Sequence, residues 1–151
     1  MRLARLAFLL TLLWALSSCG SFQAYSGAAR QDDDIAIVSI DYVQAFWILG
    51  GASLTFRSLD GASIPPTNSD GRLVTEIRLE PGEHDIAFDY KACMYGAYAM
   101  NLCGPVKTGA LRFTALKGHR YHLDVDVRDD RLWGRIIDME SDQVVAGSSP
   151  H

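Results

Sequence analysis

Positive charge is scarce in this chain: 14 Lys and Arg stand against 18 Asp and Glu, a formal net charge of −4. That balance excludes the basic field a nucleic-acid binder needs. No apolar run reaches the ~20 residues of a membrane-spanning helix; the longest, Leu6 to Leu16, has eleven residues and is broken by Thr11. No Gly-x-Ser-x-Gly, His-Glu-x-x-His, P-loop or dinucleotide fingerprint occurs. A serine nucleophile needs no such motif, since triads converge on many folds, but nothing here argues for one. Internal repeats are missing, and beyond the first residues so is any amphipathic helical pattern. With 151 residues, 48% hydrophobic and 21% charged, the composition is that of one globular domain, not of a disordered, collagen-like or coiled-coil chain.

The N-terminus reads as an address. Arg2 and Arg5 precede the short apolar run, as in a secretory signal. Leu16-Ser17-Ser18-Cys19 follows, and resembles the lipobox of bacterial lipoproteins, in which the cysteine is acylated and becomes the mature N-terminus. The resemblance implies removal of residues 1–18 and several acyl chains on Cys19. The remaining body would carry 12 basic and 18 acidic residues, a net charge of −6. Such a body gains little from anionic headgroups, so attachment would rest on lipid, at ~0.8 kcal/mol per buried CH₂. Gly20, where enterobacterial retention signals place Asp, implies the outer membrane, facing the periplasm.

Assigning Cys19 to lipid leaves two of the three cysteines, Cys93 and Cys103. Export to an oxidising compartment makes a disulfide the default for that pair. Zinc is the competing reading, but two cysteines so spaced with no adjacent histidine do not make a ligand set. No metal or cofactor is expected.

Residues 20–34 show no apolar period and end in Asp32-Asp33-Asp34. With Cys19 they read as a lipidated, flexible tether (19–34) with a reach of ~20 Å, and the acidic run as solvated charge. From Ile35 to Ala146 the pattern is β, leaving 147–151 as a tail. Ile35 to Tyr42 is rich in β-branched residues. Leu54 and Phe56; Leu73, Thr75, Ile77 and Leu79; His84, Ile86, Phe88 and Tyr90; Leu111, Phe113 and Ala115; and Tyr121, Leu123, Val125 and Val127 each occupy one phase of a period-two alternation. Leu132 to Met139 and Gln143 to Ala146 are weaker candidates, and Tyr42 to Leu49 lacks clean alternation. Asp60-Gly61, Asp70-Gly71, Pro81-Gly82, Lys117-Gly118, Asp129-Asp130 and Ser141-Asp142 punctuate the strands. The expectation is a single antiparallel β-sandwich, Ig-like or transthyretin-like, of about seven to eight strands.

Two groups could carry chemistry. His119 and His122 are three apart, which on a strand puts them on opposite faces and forbids a shared metal. Asp124 and Asp126 share a phase with His122 and Arg128. Paired carboxylates can do acid–base work, but the arginines beside them favour plain charge pairing on a wet face. His84 reads as a strand-edge histidine. The departure from pattern is Lys91 to Gly109, nineteen residues where a hairpin loop usually has two to five. It carries Met94, Tyr95, Tyr98 and Met100. Either it folds over the sandwich end and buries them, or it is a disulfide-stiffened partner-binding surface.

Leu79-Glu80-Pro81-Gly82-Glu83-His84 and Phe113-Thr114-Ala115-Leu116-Lys117-Gly118-His119-Arg120-Tyr121 together resemble turn-and-strand motifs of small bacterial envelope lipoproteins with PEGA-like or transthyretin-like β-sandwich domains. The resemblance covers roughly residues 74–127. It implies a sandwich and an absence of catalysis, and transfers no site residue. The expected protein is a lipid-anchored, non-catalytic envelope module with an envelope protein or glycan as partner; the alternative is a small periplasmic enzyme such as a hydrolase.

Overall fold

A computed structural model describes residues 20–41, 51–95 and 101–147, with backbone alone at 94, 95, 101 and 102. The signal segment 1–18, the lipidation residue Cys19, and Tyr98 and Met100 lie outside the described residues.

Alternation of buried and exposed side chains builds two facing sheets. The first has the order β1 (Gly20–Gln23), β5 (Val74–Leu79), β2 (Ala36–Ile40), β9 (Arg120–Arg128), β10 (Arg131–Asp138), β11 (Gln143–Gly147). The second runs β4 (Ala62–Ser63), β3 (Gly51–Leu59), β6 (Gly82–Tyr95), with β7 (Asn101–Cys103) and β8 (Lys107–Ala115) both paired to β6. One core lies between them, formed by Val38, Ile40, Ile77, Leu79, Tyr121, Leu123 and Ile136 from the first sheet and Leu54, Phe56, Ile86, Phe88, Leu111 and Phe113 from the second. The chain is therefore an all-β sandwich. No α-helix occurs among the described residues; the one helical element is a 3-10 turn, Asp32–Asp34.

The structure has eleven strands among the described residues, more than expected. β1, β4 and β7 have four, two and three residues, too short for any period to show. Two pairings are parallel, β1 with β5 and β2 with β9, so the first sheet is mixed.

β2 explains its own unbroken apolar sequence. Val38 and Ile40 face the core, while Ile35 and Ile37, on the opposite side, are also almost fully buried. Ile37 pairs with Arg78 on β5 and Arg120 on β9. Both arginines reach Asp32 of the 3-10 turn, and Arg120 also reaches Glu76. An ionic bridge thus closes over the outer face of the central strand. Burial pushes the Arg78 guanidinium down, and the hydrogen bond and charge of Asp32 more than offset it, holding it above its ordinary value.

That bridge also corrects the tether. Residues 20–23 are a strand, and the segment after them lies along the body. Ala24 N–H donates to the Arg78 carbonyl, Arg30 pairs with Glu80, and its guanidinium lies over the Tyr25 ring. The sequence there is polar and aperiodic because backbone bonds to the edge of β5 and ion pairs, not apolar burial, hold it. The acidic run is exposed, as expected, but paired: Asp32 with Arg78 and Arg120, and Asp34 with Lys117.

Turn chemistry follows the dipeptides. Asp60 and Gly61 take φ of 51° and 80°, the two left-handed positions of the two-residue β3–β4 hairpin. Asp129 and Asp130, at 51° and 63°, do the same between β9 and β10 without a glycine. Near the start of β9, the buried Tyr121 hydroxyl accepts the Leu116 N–H at 2.8 Å and its ring meets Phe113 edge-on.

Candidate functional site

Within Lys91 to Gly109 the described residues, 91–95 and 101–109, are mostly strand; 96–100 lie outside the described residues. β6 continues through Tyr95, and β7 and β8 return along its same side, interrupted only at 104–106. These strands extend the antiparallel pairing of β6 outward to Tyr95 and Asn101. Their alternation fails in sequence because apolar residues fill both phases. Cys93 and Cys103 are directly opposite in the β6–β7 ladder, with Cα atoms 4.0 Å apart, and are joined by a disulfide. Gly104 N–H donates to the Ala92 carbonyl just inside the bridge. Of the four residues proposed for partner binding, Met94 and Tyr95 are placed by their backbone at the outer end of β6.

A second surface lies on the outer face of β9 and β10. Asp124 pairs in register with Arg135, and Asp126 with Trp133. These side chains, with Arg128 and Gly147, line an open groove of about 480 Å³. Arg135 reaches Asp124 at 2.6 Å, and Arg128 Nε donates to Asp126 at 2.6 Å. The Arg128 hydrogen bond holds the Asp126 carboxyl below its ordinary value. Asp126 is thus kept ionised, which suits recognition of polar groups better than proton donation. Charge pairing was legible on β9, but one partner was not: Arg120 turns away to Asp32 and Glu76, and Arg135 from β10 takes Asp124. Trp133 was missed altogether. Its signal was an aromatic in the wet phase of Arg131-x-Trp133-x-Arg135. Its indole Nε1 is buried without a hydrogen-bond partner, the one such side-chain atom among the described residues.

Each of the three described histidines, His84, His119 and His122, meets a carboxylate. His119 lies in the turn before β9 and only His122 is on the strand, so the two meet different carboxylates. His119 Nδ1 stands 2.8 Å from Asp138 Oδ2, and His122 Nε2 3.7 Å from Asp41. Asp138 is buried, and burial alone would raise its carboxyl. Hydrogen bonds from His119 and from the Glu140 N–H outweigh that and hold it below its ordinary value. His84 is clasped at the other side of the same end, 2.7 Å from Asp60 Oδ2 and 2.7 Å from the Glu80 carbonyl, while Asp60 Oδ1 accepts the Asp85 N–H. The His84 and His119 contacts tie neighbouring turns to the strands beside them. Among the described residues no three His, Cys, Asp or Glu side chains gather as a metal site.

No family model, no curated protein and no solved structure matches this chain. The likeness to PEGA-like and transthyretin-like lipoproteins therefore has no support beyond its motifs.

Proposed function

We propose that this protein is an exported, lipid-anchored, non-catalytic module of the cell envelope, held by acyl chains on Cys19 at the outer membrane. The disulfide carries the reading. It uses two of the three cysteines, belongs to an oxidising compartment, and leaves as the odd one the cysteine that ends the lipobox. The acidic body offers the membrane little electrostatic attraction, so lipid must hold it. Mass spectrometry of the protein extracted from membranes tests this: the lipid mass on Cys19, with residues 1–18 gone, is expected. A soluble chain beginning elsewhere overturns it.

The binding role is supported by the groove on β9 and β10. An indole flanked by two carboxylate–guanidinium pairs suits a glycan, whose rings stack on aromatics and whose hydroxyls both donate and accept. Titration with soluble cell-wall glycan fragments should shift the Trp133 indole N–H resonance. Unmoved Trp133, Asp124 and Asp126 signals at millimolar ligand would remove the glycan from consideration.

A further inference from the structure

On one side of the sandwich the edges of both sheets stay open. β1 ends the first sheet, and among the described residues it pairs only with β5. β4 ends the second sheet and pairs only with β3. Two adjoining cavities of about 660 and 340 Å³ run along β1 and share Phe22 and Gln23. The larger lies between β1 and the segment from Pro65 to Asp70, and the smaller continues to Ala62, Ser63 and Ile64 at β4. Together they form a trough between the two edges.

Its far wall is ordered. Asn68 Oδ1 accepts the Asp70 and Arg72 N–H groups, and Val74 N–H donates to the Pro66 carbonyl. The segment is thus closed on itself and leaves the space beside β1 unfilled.

What β1 offers the trough is backbone. Gly20 N–H donates to the Leu73 carbonyl and Ala24 N–H to the Arg78 carbonyl, both at 2.9 Å, so the even-numbered positions face β5. Successive residues of a strand turn their main-chain groups to opposite edges. The N–H and C=O groups of Ser21 and Gln23 therefore face outward, repeating at ~7 Å. The register shift between Gly20 and Ser21 passes over Thr75 on β5 and leaves this parity intact.

Neither charge nor proline guards this edge. β1 reads Gly-Ser-Phe-Gln, whereas exposed sheet edges are commonly blunted by charged side chains or proline. The β8 edge, by contrast, carries Lys107 and Arg112. Phe22, packed against the core, and the buried Ile64 give the trough an apolar floor. Of its charged residues, Arg78 is tied to Asp32 and Asp60 to His84, and Asp70 stands exposed at the rim.

We propose that this trough is a strand-addition site: an extended segment of a partner polypeptide pairs with the outer edge of β1, sets apolar side chains on Phe22 and Ile64, and brings a basic residue to Asp70. A row of alternating main-chain donors and acceptors is matched by another extended backbone, which selects a polypeptide over a glycan or a lipid. Main-chain bonds supply the affinity, and the floor and rim supply the preference for side chains. Neither the lipid anchor nor the groove on β9 and β10 is needed for it.

Two probes test this on the full protein extracted in detergent. One is an acetylated, amidated peptide in which valine alternates with threonine before a final lysine. The other is the same peptide N-methylated throughout, which keeps the side chains and loses the main-chain donors. The first should slow amide exchange at Ser21 and Gln23 and shift the resonances of Phe22 and of 67–70; the second should do neither. Ser21→Pro removes an outward N–H and spares the bonds to β5, so it should melt like the wild type and bind the first peptide about tenfold more weakly. No response to the first peptide at millimolar concentration overturns the proposal, as does an equal response to both. Slow exchange at Ser21 and Gln23 in the free protein, or a Ser21→Pro variant that melts well below the wild type, would mean that the edge is already paired, with the same consequence. Protection over 143–147 in place of 21–23 would move the addition site to β11. Protection that rises with protein concentration alone would make the occupant a second copy of this chain. Either result overturns the assignment of a partner to β1.

Discussion

The Phe88 ring sits against Gly134 across the two sheets, so closely that a Cβ on Gly134 would stand 2.6 Å from ring atom Cζ. On its own sheet the same ring covers Gly109, its register partner on β8, where a Cβ would stand 2.4 Å away. The ring therefore fills space that two missing side chains leave, and the closeness of the sheets depends on both glycines.

Gly134→Ala and Gly109→Ala should each destabilise the domain by ~1–3 kcal/mol, the range for overpacking a filled core. Urea denaturation reads this directly. Pairing Gly134→Ala with Phe88→Leu should recover part of the loss, because the two sites are in contact. Strict additivity in the double mutant would contradict the packing described.

The Asp138–His119 contact makes a pH-dependent prediction. A lowered folded-state carboxyl contributes stability that is present above the unfolded value, ~3.9, and is lost as pH falls through the folded one. Asp138→Asn should be less stable than the wild type at pH 7. The gap should narrow as pH drops below ~4. A gap constant from pH 7 to pH 3, measured by chemical denaturation, would detach Asp138 from acid sensitivity.

Removing Asp32 opens the bridge over Ile37. Asp32→Asn should cost ~1 kcal/mol, since the ion pairs are half exposed and screened. The loss should shrink in 1 M salt. Equal losses at low and high salt would mean that the carboxylate acts through turn geometry and not through charge.

Reducing the disulfide should lower stability by ~2–3 kcal/mol in the chain-entropy model for a loop this short. The bridge lies beyond the core, so the sandwich should persist. Cys93→Ser/Cys103→Ser should keep the β-type circular dichroism spectrum and melt several degrees lower. Loss of the spectrum at 25 °C would place the bridge among the conditions for folding.

Most of the sandwich was legible because its strands are half buried. Residues such as Leu111 and Phe113, or Leu123 and Val125, are separated by a charged residue, and that alternation is the imprint of one dry and one wet face. The signal vanishes where its cause does. β2 is dry on both faces, so its apolar run marks a strand but conceals that Ile37 faces away from the core. β1 is held through its backbone and carries no period, which is why 20–34 read as slack chain. The outer half of β6 looked like a loop because Ala92, Met94 and Tyr95 offer no polar phase. The groove escaped for a different reason: it is made by side chains from two strands, and only the register, Asp124 with Arg135 and Asp126 with Trp133, brings them together.

The central position of β2 also bears on how quickly the domain can assemble. This strand is among the most apolar segments of the body, yet its two neighbours, β5 and β9, do not begin until Val74 and Arg120. An emerging chain must hold Ile35 to Ile40 unpaired until β5 is delivered, about halfway along the sequence, and with one edge open until β9 follows. Contacts of such sequence separation place a domain toward the slow, millisecond-to-second end of the folding range. Through that interval the future middle of the sheet is a sticky, uncovered edge. A chain with this order of strands gains from being kept apart from its copies until β9 arrives.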